Sequence, residues 1–207
     1  MKGFPDNSID LVLTDIPYGE VNRASSGLRS FDKEDADIIT FDLLKVCKEL
    51  DRICKQSLYI FCGIEQTSII RSYFYGEKEY LTRHCFWIKP NPSPVNGEYA
   101  WLSATENCMF IRKPKGTFNE FCQPNYWHWK TEPQPYHPTA KPVGLFEKLI
   151  KASSNEGDLV LDCCLGSGTT AVAAKNTGRS YIGIELNPEY IAIANERLKQ
   201  EKLALFT

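Results

Sequence analysis

The stretch VLDCCLGSGTTAVAAKNTGRSYIGIELNPEY, residues 160–190, decides how this 207-residue chain folds. An apolar strand, 158–163, runs into Gly166-Ser167-Gly168 and then into a helix of small residues from Thr169 to Lys175 that ends near Gly178. A second strand, 180–185, ends on Glu185. Glycines at such a turn let the backbone approach a ligand, and small helix residues allow close packing on a sheet. An acid at the tip of the next strand, about 20 residues on, is placed to accept hydrogen bonds from ribose hydroxyls. The bland alternative is a helix–strand turn that merely needs glycines; the strand–glycine–helix–strand–acid order favours a nucleoside cofactor. A dinucleotide fingerprint would want a third glycine near Ala171, and no P-loop lysine follows the turn. G-S-G-T-T suits an adenosine ligand without a pyrophosphate, and S-adenosylmethionine is the leading candidate.

Outward from this block, further short apolar runs read as strands: 9–14, 57–62, 83–88 and 107–112. Several are nearly continuous in hydrophobicity, as in strands covered on both faces. Helical patterns lie between some of them. Residues 40–54 place Leu43, Leu44, Val46, Cys47, Leu50, Ile53 and Cys54 on one side. A second helix begins near Pro142 and aligns Leu145, Phe146, Leu149 and Ile150; a third opens with Asn187 as cap and Pro188 at its first position. Strands alternating with helices argue for an α/β protein with an open, mostly parallel sheet and helices on both faces. Residues 90–140 do not fit this alternation. They are rich in proline, asparagine and aromatics, and only the strand 107–112 interrupts them. Long irregular segments of compact domains are usually functional loops.

Composition narrows the class. With 43% hydrophobic and 24% charged residues, general disorder is excluded. No apolar run reaches the ~18–20 residues of a membrane helix and the N-terminus lacks a signal-peptide core, so a cytoplasmic protein is expected. The eight cysteines include no C-x-x-C pair, and the three histidines are scattered. Reduced structural thiols and no metal are the expectation. A net charge of −2 neither supports nucleic-acid binding nor excludes a local basic face.

At the other end of the chain, LVLTDIPYGE (11–20) puts Asp15-Ile16-Pro17-Tyr18-Gly19 at the tip of a buried strand. A strand-ending turn explains a carboxylate, a proline and a glycine there equally well. The order of segments adds weight to a chemical reading: DIPYG at 15–19, the loop-rich region at 90–136, HPTAKP at 137–142, then LDCCLGSGTT at 161–170. This order resembles the β-group amino-methylating DNA methyltransferases, whose catalytic D-P-P-Y precedes a target-recognition region and whose cofactor motif comes late. CFWIKPN and ENCMFIRKPKG also look like that family's sixth and seventh sheet strands. The resemblance spans nearly the whole chain. It implies a Rossmann-like S-adenosylmethionine-dependent methyltransferase fold, one domain over 1–207, of the kind found in restriction–modification systems.

What the resemblance implies chemically is specific. Asp15 would accept one hydrogen of an exocyclic amine and the Ile16 carbonyl the other, freeing the nitrogen lone pair for attack on a sulfonium methyl. Pro17 would hold that carbonyl, and Tyr18 would stack on a base flipped out of double-stranded DNA. Asp162, Cys164, Gly166, Ser167, Gly168, Thr169, Thr170 and Glu185 would bind the cofactor, with His137, Thr139 and Lys141 of HPTAKP helping to hold its methionine end. Arg23 and Arg29, in the polar loop 20–35, are candidates for DNA phosphates, or incidental charges of a solvated loop. Trp127 and Trp129 of NYWHWK either stack on bases or anchor a long loop. Adenine N6 is favoured over cytosine N4, because cytosine enzymes of this family more often carry serine where Asp15 stands. The absence of a Pro-Cys pair argues against carbon-5 cytosine chemistry.

The departures from the family carry expectations of their own. Ile16 replaces a proline, which implies a looser turn, and Cys164 replaces an aromatic that lies against the cofactor, which implies weaker binding. The family's strand ending in Gly-Asp, with its helix, lies ahead of FPDNSIDLVLTDIPY and falls outside these 207 residues. A sheet one strand short is expected, with 180–185 as an open edge that a homodimer would cover. Two other functions stand beside the enzyme: an inactive DNA-binding module on the same fold, and a nicotinamide-dependent oxidoreductase, against which the incomplete glycine fingerprint counts.

Overall fold

The computed structural model describes residues 1–18, 42–76, 79–94, 97–131 and 140–203. Seven strands form one sheet in the order β5-β3-β4-β2-β1-β6-β7. They are β1 (Ile9–Asp15), β2 (Cys54–Cys62), β3 (Leu81–Ile88), β4 (Thr105–Arg112), β5 (Tyr126–His128), β6 (Leu159–Asp162) and β7 (Ser180–Gly183). Five helices accompany them: α1 (Leu43–Ile53), α2 (Ile64–Phe74), α3 (Val143–Ser153), α4 (Thr169–Asn176) and α5 (Pro188–Leu203). The pairings of β1 with β2 and β6, of β6 with β7 and of β3 with β5 are parallel; β4 runs antiparallel to both β2 and β3. The expected mostly parallel α/β sheet is present.

Alternation along the central strands divides two cores. Leu11 and Leu13 of β1 with Tyr59 and Phe61 of β2 face Leu145, Phe146, Leu149 and Ile150 of α3 and Ala173 and Ala174 of α4. Val12, Leu58 and Ile60 face the other way, onto Cys47, Leu50 and Ile53 of α1 and Ile70 and Phe74 of α2. Each Val, Leu, Ile or Phe among them, fully buried, contributes about 1.5–3 kcal/mol of transfer free energy. This two-sided burial explains why the strands read as continuous apolar runs. Cys47, Cys54, Cys62, Cys85 and Cys108 are buried within the same cores as small apolar residues.

Two elements escape a reading of the sequence. Helix α2 buries only Gln66, Ile70 and Phe74, a stripe too thin to stand out. Strand β5 has three residues and takes its place by pairing with β3. It also positions the tryptophans. Trp127 meets the ring of Tyr59 edge-on at 6.3 Å, and Trp129 lies so close to α3 that a β-carbon on Gly144 would come within 2.5 Å of its ring. Both rings thus pack against the core, the anchoring alternative, while Tyr126 and His128 point outward. The cap on α5 is as expected, Asn187 Oδ1 accepting from the amide of Glu189 at 2.8 Å. On the far side β7 pairs with β6 alone and ends the described sheet.

Candidate active site

Parallel neighbours β1 and β6 sit where the chain's direction of travel across the sheet reverses, β1 leading through α1 to β2 and β6 through α4 to β7. Open α/β sheets bind ligands beyond the carboxyl ends of strands at such a switch point. Two segments meet there, Asp15–Tyr18 after β1 and Cys163–Gly168 after β6. Asp162 ties them together. Its Oδ1 accepts from Thr14 Oγ1 at 2.7 Å and from the Cys164 amide at 3.0 Å, and its Oδ2 accepts from Thr170 Oγ1 at 2.5 Å. The residue is 3% exposed. Burial raises its pKa from 3.8 to about 6, against the opposing pull of those hydrogen bonds.

The glycine loop is held from several directions. Gly166 and Gly168 take left-handed φ values of 53° and 89°. A β-carbon on Gly168 would stand 2.7 Å from that of Ala194 in α5, so this glycine serves helix packing. Arg197, also from α5, donates to the Ser167 carbonyl at 2.7 Å and reaches Ser167 Oγ and Thr169 Oγ1. Thr169 Oγ1 in turn donates to the Lys141 carbonyl at 3.3 Å. The polar side chains of Asp162, Ser167, Thr169 and Thr170 are therefore engaged within the protein and build the loop.

The loop's amides test which ligand fits. Cys164 donates to Asp162, Leu165 to the Ile184 carbonyl, Gly166 to Glu185 and Gly168 to the Leu165 carbonyl. These four amides hold the loop in shape, which agrees with the incomplete dinucleotide fingerprint of its sequence. Glu185 Oε1 accepts from the amides of Leu186 and Asn187, and Oε2 from Gly166, each at 2.8 Å. A carboxylate has about four acceptor positions, so one remains for a hydroxyl donor. Beside it Leu186 is 91% exposed, an apolar surface next to an acceptor. The set fits the adenosine part of S-adenosylmethionine.

On the β1 side, Asp15 stands in a desolvated ionic cluster. Its Oδ2 accepts from Lys141 Nζ at 2.5 Å and its Oδ1 from the Tyr18 hydroxyl at 2.7 Å. Lys141 Nζ is also 3.0 Å from Glu106 Oε2, and Lys89 Nζ is 2.8 Å from Glu106 Oε1. Lys141 is 6% exposed and lies against the rings of Tyr18 and Phe61. Burial raises the pKa of Asp15, helped by Glu106 and opposed by Lys141. Burial acts to lower Lys141, but Asp15 and Glu106 hold it well above its ordinary value. For Glu106, burial acts upward, and Lys141 with Lys89 brings it below the usual carboxylate range. Tyr18 is pushed up by burial and by the two carboxylates.

The turn after Asp15 is fixed by backbone contacts. Ile16 N–H donates to the Phe61 carbonyl at 3.1 Å, and Gln66 Nε2 donates to the Pro17 carbonyl at 2.9 Å. Gln66 Oε1 accepts from Gly63 N–H at 2.8 Å, so one buried amide links the start of α2 to the motif. Lys141, expected at the cofactor, sends its ammonium to Asp15 and Glu106 and only its carbonyl to the glycine loop. Arg23, Arg29, His137 and Thr139 lie outside the described residues.

Glu106, Lys89, Gln66 and Arg197 had no place in the sequence reading. Gly63-Ile64-Glu65-Gln66 has the spacing of a capping box, a signal that marks Gln66. Glu106 and Lys89 sit at ends of apolar strands: the β1–β2 and β2–β4 pairings carry Glu106 to Asp15, and the antiparallel β3–β4 register sets Lys89 beside Glu106. Among the described residues no cluster of three or more His, Cys, Asp or Glu could hold a metal, and no helix is long and apolar enough to cross a membrane.

Comparison with known proteins agrees with this geometry. Residues 9–196 match the N6/N4 methylase family, described as DNA methylase. The type II methyltransferase M.HpaI of Haemophilus parainfluenzae is 33% identical over 97% of this chain and 71% of its own length. The DNA adenine methyltransferase YhdJ of Escherichia coli K12 is 30% identical, over 96% and 79%. The crystal structure of the M1.HpyAVI–SAM complex superposes with a TM-score of 0.72 at 29% identity, covering 95% of this chain and 90% of that one. Fold, switch-point site and sequence match converge: the chain belongs to the N6/N4 DNA methylases, S-adenosylmethionine-dependent methyltransferases that act on amino groups of DNA bases.

Proposed function

We propose that this protein methylates N6 of adenine in double-stranded DNA. The observation that carries the reading is the joint between the two segments: Thr14, the neighbour of Asp15, bonds Asp162 at the head of the glycine loop at 2.7 Å, which sets the Asp15 carboxylate beside the cofactor loop. Asp15 accepts one amine hydrogen and the Ile16 carbonyl the other, so the nitrogen lone pair is no longer delocalised into the ring. Catalysis is then positioning and hydrogen bonding, with no covalent enzyme intermediate. S-adenosylmethionine, when bound, supplies the methyl group on a positively charged sulfur. In the free enzyme the Tyr18 hydroxyl occupies Asp15 Oδ1, so an incoming base displaces it and takes the tyrosine ring as a stacking partner.

Adenine is supported by the aspartate that leads the motif and by the adenine specificity in the name of YhdJ. The loop-rich region 90–136 is assigned to target reading, where Tyr99 and Trp101 are 88% and 100% exposed. The test is incubation with unmethylated DNA and S-adenosylmethionine, followed by digestion and mass spectrometry of the nucleosides. N6-methyladenine is expected, and N4-methylcytosine alone would overturn the choice of base. Asp15→Ala is expected to abolish transfer while cofactor affinity stays nearly intact; wild-type turnover in this variant would sink the assigned role.

A further inference from the structure

We infer that Glu106 is a positioning residue for methyl transfer: through Lys141 and Tyr18 it fixes where the Asp15 carboxylate stands and how strongly it accepts from the amine. The inference rests on the reading of Asp15 as that acceptor. Consider the site with Lys141 alone. An ammonium 2.5 Å from a desolvated carboxylate forms a tight ion pair, and a neutralised carboxylate is a poor partner for an amine that becomes positive as it attacks. Glu106 changes this by sharing the ammonium from 3.0 Å. Its second oxygen is tethered by Lys89 at 2.8 Å, which aims Oε2 at Lys141 and, at 3.4 Å, at the Tyr18 hydroxyl. With the ammonium shared between two carboxylates, Asp15 keeps more of its own negative charge at the amine's position, and Glu106 gives the Tyr18 hydroxyl a second acceptor when the base claims Asp15.

The groups that face Asp15 are few. Lys141 comes from the segment before α3, Glu106 and Cys108 from β4, Cys62 from β2, Asp162 from β6, Cys164 from the loop that follows it, and Tyr18 from the motif itself. Burial keeps Cys62 and Cys108 neutral thiols, Cys62 pushed up to about 12, and the Cys163 sulfur with burial pushes Cys164 up as well. Lys141 is thus the one cation in contact with Asp15 among the described residues, and Glu106 the carboxylate that competes for it.

The test is the pH dependence of kcat on a DNA duplex for the full chain, with S-adenosylmethionine affinity measured alongside as a check on folding. Glu106→Gln removes a repelling charge and leaves Lys141 wholly to Asp15. Its kcat is expected to fall by about tenfold or more, the scale of a misplaced catalytic group, with the acid limb moved to lower pH. Lys141→Met is expected to move the limb the other way, to higher pH, and Glu106→Asp to restore part of the rate. A Glu106→Gln enzyme with wild-type kcat and an unmoved limb, beside an inactive Asp15→Asn enzyme, overturns the role of Glu106 and leaves Asp15 in place. The same limb direction in the glutamine and methionine variants overturns it too. An active Asp15→Asn enzyme instead removes the reading on which it rests.

Discussion

Asp162 makes a prediction that can be worked through to a magnitude. The carboxyl is 3% exposed and receives three hydrogen bonds, yet burial still lifts its pKa from 3.8 to about 6. A carboxyl whose pKa is raised by folding favours the folded state when protonated. Its contribution is fully present below pH ~4, and it is lost as pH rises through the folded value near 6. The interval corresponds to about 3 kcal/mol, at 1.36 kcal/mol for each pH unit. Asp162→Asn keeps the size of the side chain and cannot ionise. Urea unfolding of both proteins from pH 4.5 to 8 isolates the term, because all other titrating groups are common to the pair. The variant is expected to gain on the wild type as pH rises, by about 2 kcal/mol across the series because it starts above the unfolded pKa, whatever fixed cost the amide imposes through its contact with Thr170. Parallel stability curves would refute the argument and show that the three donors fully compensate burial.

Two other sites give simpler expectations. Gly168→Ala places a β-carbon 2.7 Å from that of Ala194 at a φ of 89°, so left-handed strain and overpacking together should cost roughly 2–4 kcal/mol in chemical denaturation; a loss below about 0.5 kcal/mol would mean that α5 moves freely against the loop. Glu185→Ala strips an acceptor from three amides and removes the acceptor position left for a ribose hydroxyl. Calorimetry should find S-adenosylmethionine binding weakened by about 1.5–3 kcal/mol, and an unchanged dissociation constant would refute the ribose assignment.

Legibility in the sequence followed the range of the interactions. The strands around β1 and β6, the caps and the apolar faces of α1 and α3 are set by neighbours within a turn or two, and their residues were visible in the pattern. The antiparallel insertion of β4 between β2 and β3 depends on pairing across the sheet, and no local signal announces it. The site divides in the same way. Asp15, Glu185 and the glycines stand out because their chemistry is unusual at strand ends. Glu106 and Lys89 look like ordinary charges flanking strands, and become part of the site through the β2–β4 pairing that carries Glu106 towards Asp15 and the β3–β4 register that sets Lys89 beside Glu106. Asp162, Thr169 and Thr170 were legible by position, but their burial turns them inward, to brace the loop.

Ile16 shows how a departure from a family motif can be absorbed by its surroundings. A proline at this position has no N–H, whereas Ile16 donates to the Phe61 carbonyl at 3.1 Å and carries the β1–β2 ladder one residue past Asp15. Its side chain is 2% exposed and joins the α1–α2 core, adding apolar burial that anchors the turn from below. The rigidity that a first proline would impose through φ is supplied here by strand pairing on one side and by the Gln66 amide on the Pro17 carbonyl on the other. A looser turn is the natural expectation from sequence, because the compensating partners, Phe61 and Gln66, lie 45 and 50 residues downstream of Ile16. With the peptide held at both ends, what the proposed mechanism asks of this position is the carbonyl of residue 16, and that group does not depend on which side chain the residue carries.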